Sequence, residues 1–204
     1  MGVKLDQEGV MRLLDKLYEQ ATQGIAMVSP PIEETAGDYL RKNPDIDTAA
    51  KKFINYQIAK CTTSGFLAGL GGIITLPVTI PANVSSVLYV QMRMIAGLAY
   101  MGGYDTDSDQ VQTLVYACLA GISVDQVLKQ AGIKFGNKFA MAMVKKIPGE
   151  VLAKINQRVG FRFITEFGTK GIINLGKAVP AVGGVIGGGF DFIETKAIAN
   201  RAYG

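Results

Sequence analysis

Histidine is the most informative absence in the chain: none occurs among 204 residues. That excludes Ser-His-Asp and Cys-His nucleophile pairs and every metal site that needs imidazole. Two cysteines, Cys61 and Cys118, lie far apart in apolar surroundings. They read as small buried hydrophobes in a reducing compartment, and an all-cysteine zinc site would need four thiolates. Asp105, Asp107 and Asp109 have the spacing of the first ligands of a calcium loop. Such a loop needs Gly at its sixth position and Glu at its twelfth, where this chain has Gln110 and Tyr116. Helix capping accounts for the aspartates instead. Asp191 and Glu194 read as the solvated face of a last helix. No GxxxxGK[ST], GxGxxG or GxSxG pattern occurs, so phosphate loops and nucleophile elbows lack support. No catalytic residue, metal or cofactor is expected.

Charge carries more information. The net charge is +4, but residues 129–177 hold ten Lys/Arg against Glu150 and Glu166 alone. A basic block of this kind suits an anionic partner, although an ordinary solvated helix face looks the same. The candidate surface residues are Lys134, Lys138, Lys145, Lys146, Lys154, Arg158 and Arg162. The block lacks a recognition-helix pattern and interleaved exposed aromatics, so nucleic acid is not the expected partner. Arg93 is a possible buried charge on an otherwise apolar helix, able to meet a carboxylate or an anionic group.

The elements that must position these residues are helical. Leu13, Leu14, Leu17 and Tyr18 line one side of an opening helix, which Ser29-Pro30-Pro31 is expected to stop. A short helix runs to about Lys42, and Asp45 or Asp47 caps the next. From Cys61 through Met92 the chain has no charge, and Pro77 and Pro81 cut this run. Gly65, Gly69 and Gly72 allow close helix contact there, which predicts a glycine-packed hairpin over residues 48–102. Seven Ser/Thr, four Gly and two Pro in the run make a poor spanning segment, so burial in protein is expected, with insertion in lipid as the alternative. Asp107 with Gln110, and Ser123 with Gln126, have capping-box spacing. An amphipathic helix is predicted from Val124 to Lys146, two more over 150–157 and 160–177, and a last one packed through Gly184 and Gly188. No strand and no repeat is apparent.

These features predict an all-α fold. It is a single helical domain of about seven or eight helices with a Gly-rich, Pro-broken central hairpin, preceded by a helical extension over residues 1–44. No apolar leader occurs in the first 60 residues, and Met1-Gly2 is followed by Asp6 where a myristoylation site wants Ser or Thr. The expected setting is cytoplasmic, peripheral to the inner face of the membrane.

Gly69-Leu70-Gly71-Gly72-Ile73-Ile74-Thr75-Leu76-Pro77, Ile80-Pro81, Gln91-Met92-Arg93-Met94-Ile95-Ala96 and Gly103-Tyr104-Asp105 appear in that order. Lys177-Ala178-Val179-Pro180-Ala181-Val182-Gly183-Gly184-Val185-Ile186-Gly187-Gly188 and Asp191 follow. This pattern resembles the EcsC family, over roughly residues 45–204. The resemblance implies a helical protein without agreed catalytic residues. The family takes its name from a protein encoded beside an ABC transporter linked to protein secretion. The function expected is therefore non-enzymatic, at an anionic membrane surface or a membrane protein complex, auxiliary to transport or secretion. The alternatives are a hydrophobic-ligand domain with a bound lipid or acyl chain, a membrane-inserting hairpin of toxin or pore type, and a hydrolase using Ser/Lys or carboxylates.

Overall fold

The computed structural model of the chain describes residues 6–62, 82–132 and 140–167. Eight helices occur among them: α1 (Gln7–Gln23), α2 (Ile32–Lys42), α3 (Ile46–Thr62), α4 (Ala82–Met101), α5 (Asp109–Leu119), α6 (Val124–Gln130), α7 (Ala140–Val144) and α8 (Gly149–Phe167). The described residues contain no strand, and only an isolated bridge joins Ile25 to Ser29. The fold is all-α, as the apolar spacing predicted. The glycines and prolines assigned to the hairpin turn and the last helix, Gly65, Gly69, Gly72, Pro77, Pro81, Gly184 and Gly188, lie outside the described residues.

Helix α4 is the axis of the structure, because α1, α2, α3 and α5 all pack against it. Its apolar residues cover its whole circumference: Val87, Leu88, Tyr89, Val90, Met92, Met94, Ile95 and Ala96 are all buried. A helix apolar all round belongs in the centre of a protein or in lipid, and here the neighbouring helices cover it. No helix of the described residues is long and apolar enough to cross a membrane. Helix α1 turns Leu13, Leu14, Leu17 and Tyr18 inward, toward α4 and α8. Helix α8 rests on α1 and α5 through Leu152, Ile155, Val159 and Phe163, which recur at helical spacing and are buried.

The ends of the helices follow local chemistry. Asp6 caps α1 by accepting from Gly9 N at 2.7 Å. Asp45 caps α3, accepting from Thr48 N at 2.7 Å and Thr48 Oγ1 at 2.9 Å. The capping box of Ser123 and Gln126 is complete in both directions at the start of α6.

Four expectations need correction. Gly24, at φ +83°, ends α1 several residues before the Pro30-Pro31 pair, because a left-handed backbone suits glycine. Ser108, not Asp107, caps α5, while Asp105 accepts from Asp107 N inside the preceding turn. The helix predicted from Val124 to Lys146 stops at Gln130, where Gly132 takes φ +71°. The two stretches predicted over 150–157 and 160–177 are joined in α8 through Gly160, which faces Gln7 and Met11 of α1. There close packing of α8 on α1 outweighs glycine's weak helix propensity.

Candidate functional site

Two sets of residues stand apart from routine packing: a stripe on α8 and a polar centre around α4. The stripe is built by the buried face just described. With Leu152, Ile155, Val159 and Phe163 turned inward, the 3.6-residue period sends Lys154, Arg158, Phe161, Arg162 and Thr165 outward on one side. Phe161 is 66% exposed, although it is a large aromatic residue. Arg162 lies across Gly121, whose φ of +75° turns the chain after α5. Lys154 and Arg158 make no ion pair among the described residues. Lys145 and Lys146 are also exposed, in the turn after α7. Of the seven cations singled out in the sequence, Lys154, Arg158 and Arg162 share one surface, and Lys134 and Lys138 lie outside the described residues. Phe161 corrects the expectation that the basic block holds no interleaved exposed aromatic; its place between Arg158 and Arg162 is visible in the sequence, but its exposure is not.

The polar centre surrounds Arg93, in the middle of α4 and 1% exposed. Its partners are neutral. Nη1 donates to Ala21 O at 2.9 Å, and Nη2 donates to Pro30 O at 2.9 Å and to Thr35 Oγ1 at 3.1 Å. The ring of Tyr89, one turn back, lies with its centroid 5.8 Å from the guanidinium carbon, and its hydroxyl meets Ser29 Oγ. Burial lowers the Arg93 pKa from its ordinary value, with the Tyr89 environment opposing. Arginine still keeps its proton at any relevant pH. No carboxylate pairs with it among the described residues, so the carboxylate partner raised by the sequence is not the one observed. The guanidinium instead joins the end of α1, where unpaired helix carbonyls offer partial negative charge, to the start of α2.

Beside this centre, a cleft of ≈ 550 Å³ runs along α2 and is bounded on the other side by Lys52 and Tyr56 of α3. Pro30 and Thr35, which hold Arg93, line it, together with Glu34, Asp38, Tyr39, Lys42 and Asn43. Tyr39 and Tyr56 stand 6.2 Å apart between ring centroids. Burial, aided by the nearness of Tyr56, raises the Tyr39 pKa. Elsewhere along α1, Tyr116 donates to Asp15 Oδ1 at 2.8 Å, and Tyr18 donates to Thr106 O at 2.7 Å. Burial drives both phenol pKa values far upward, so these tyrosines hold their protons and act as donors. No group of His, Cys, Asp or Glu able to hold a metal occurs among the described residues.

The sequence matches the EcsC protein family over residues 16–203. The chain belongs to the EcsC family. The match begins well before residue 45, where the resemblance read from motifs began, and takes in α2 and much of α1. Those helices carry the groups that meet the family-like segment around Arg93, so the EcsC pattern and the observed packing cover the same helices. No curated protein and no solved structure matches the chain.

Proposed function

We propose that this EcsC protein works without catalysis at an anionic membrane surface, which it meets through the outward stripe of α8. The observation that supports this best is Phe161. An exposed aromatic ring set among Lys154, Arg158 and Arg162 is the composition of a helix lying in a lipid interface, where rings enter the headgroup layer and cations meet phosphates. Each Lys or Arg near an anionic leaflet contributes about 1 kcal/mol, and salt weakens the attraction. Lys145 and Lys146 add charge just before the helix. The inward face of α8 is already committed to α1 and α5, so the stripe is what α8 offers to a partner.

Sedimentation with vesicles of graded anionic lipid content tests the reading. Wild-type protein is expected to bind in proportion to anionic content and to release in high salt. The triple variant Lys154→Glu, Arg158→Glu, Arg162→Glu should lose binding while keeping its helical content. Phe161→Ala should leave the salt-sensitive part and lose the binding that survives moderate salt. Undiminished binding by the triple variant would remove this proposal.

A further inference from the structure

Arg93 Nε and both amide atoms of Gln57, Oε1 and Nε2, are buried without a hydrogen-bond partner among the described residues. Gln57 is 0% exposed. The helix register places the two residues at the same level of adjacent helices. A Cβ on Gly97 of α4 would lie 2.5 Å from the Phe53 ring of α3. Tyr56 of α3 acts electrostatically on Arg93. Rising numbers on α3 therefore meet falling numbers on α4, and the helices run antiparallel. Gln57 follows Phe53 by one turn, and Arg93 precedes Gly97 by one turn. The same turn that joins Phe53 to Gly97 thus brings Gln57 to the level of Arg93.

A buried amide with neither end bonded costs stability, and a buried cation without a counter-charge costs more. Such groups call for an explanation that ordinary packing does not supply. The chemistry offered here is specific: N–H donors on Arg93 and Gln57, one full positive charge, and one acceptor oxygen. The complement of the donors and the charge is an oxygen of an anion that accepts both N–H groups. The cleft along α2 supplies a route, because Tyr56 adjoins Gln57 and Thr35 touches Arg93, and both line it. Its volume is in the range of small-ligand sites. Lys42 and Lys52 line it beside Glu34 and Asp38, and Lys42 pairs with Asp38, so the positive charge that would hold an anion is that of Arg93 itself.

We propose that Gln57 and Arg93 form an internal binding site for a small oxyanion, a carboxylate or phosphate group, entered from the cleft between α2 and α3. The site is separate from the α8 stripe and does not depend on it.

Thermal unfolding of the full chain at constant ionic strength tests this, with chloride replaced by sodium phosphate, sodium acetate or dihexanoyl phosphatidic acid. A bound anion should raise the wild-type Tm by about 2–4 °C at roughly five times its Kd. A rise with phosphate or acetate identifies a free oxyanion, and a rise with phosphatidic acid alone identifies a lipid headgroup. Gln57→Leu should raise the Tm without added anion, since an unpartnered amide is replaced by an apolar group, and should abolish the response. Gln57→Glu places a carboxylate beside Arg93 and should also abolish the response, which keeps the test decisive if the leucine variant fails to fold. The pair Lys154→Glu, Arg158→Glu should respond as the wild type does. Absence of a wild-type response to every probe, or an undiminished response in Gln57→Leu or Gln57→Glu, overturns the site.

Discussion

A guanidinium taken from water loses strong hydration, so Arg93 persists in the core only where oxygen atoms replace that water. The main-chain oxygens of Ala21 and Pro30 and the hydroxyl of Thr35 do this, each from outside α4. One turn further along the same helix, Gly97 solves a steric problem. A Cβ there would lie 2.5 Å from Cζ of Phe53, so glycine is what lets α3 approach α4 this closely. Gly97→Leu should therefore overpack the contact and cost about 1–3 kcal/mol or more. Urea unfolding of the variant measures this, and an unchanged midpoint would show that Phe53 can move aside. The sequence drew attention to other glycines, in the run from Gly65 to Gly72, because they are clustered. Gly97 stands alone and is identified only by the ring it faces.

At the scale of the element, the helix starts are the best-specified features. Ser123 accepts from Gln126 N, and Gln126 Oε1 accepts from Ser123 N at 3.0 Å. Ser123→Ala should cost about 1 kcal/mol, read as a shift in the denaturation midpoint. Asp45 adds a pH dependence at the start of α3. The Thr48 backbone N–H, then its hydroxyl, hold the carboxylate pKa below the ordinary value. A lowered pKa means that the native state binds the proton less readily than the unfolded chain. The resulting stability is present above the unfolded value of about 4 and is lost as pH falls through the folded value. Asp38 acts in the same direction, through its hydrogen bond from Lys42. Unfolding followed between about pH 5 and 2 should show the wild type losing more stability than Asp45→Asn, which keeps a capping side chain and does not titrate. Parallel curves for the two proteins would exclude a role for the Asp45 charge.

For the molecule as a whole, the position of α4 implies a hierarchy of stability. A helix covered by α1, α2, α3 and α5 opens only when its neighbours leave. Amides in the middle of α4 should therefore be the slowest to exchange with deuterium. Those at the start of α1 and in the turn around Met27, whose side chain is 103% exposed, should exchange fastest. Mass-resolved exchange gives the order directly. Fast exchange over residues 88–96 would mean that α4 is not enclosed.

The sequence by itself determined the helical class, the capping box at Ser123, the broadly apolar surface of α4 and the basic character of the chain's second half. Each follows from interactions within one or two turns, or from composition, and these need no knowledge of distant residues. The end of α1 follows a local signal, Gly24, that the Pro30-Pro31 pair overshadowed, whereas the continuation of α8 through Gly160 set a local preference against packing, and in both places the sequence misled. The tertiary structure alone decided which cations share a face with Phe161, and that neutral oxygens rather than a carboxylate meet Arg93. Arg93 is separated from Ala21 by 72 positions and from Thr35 by 58. Nothing in the local spacing of α4 encodes which chain ends will arrive beside it. That is settled only when α1, α2 and α3 bury their apolar faces against α4 together, and their carbonyls come with them.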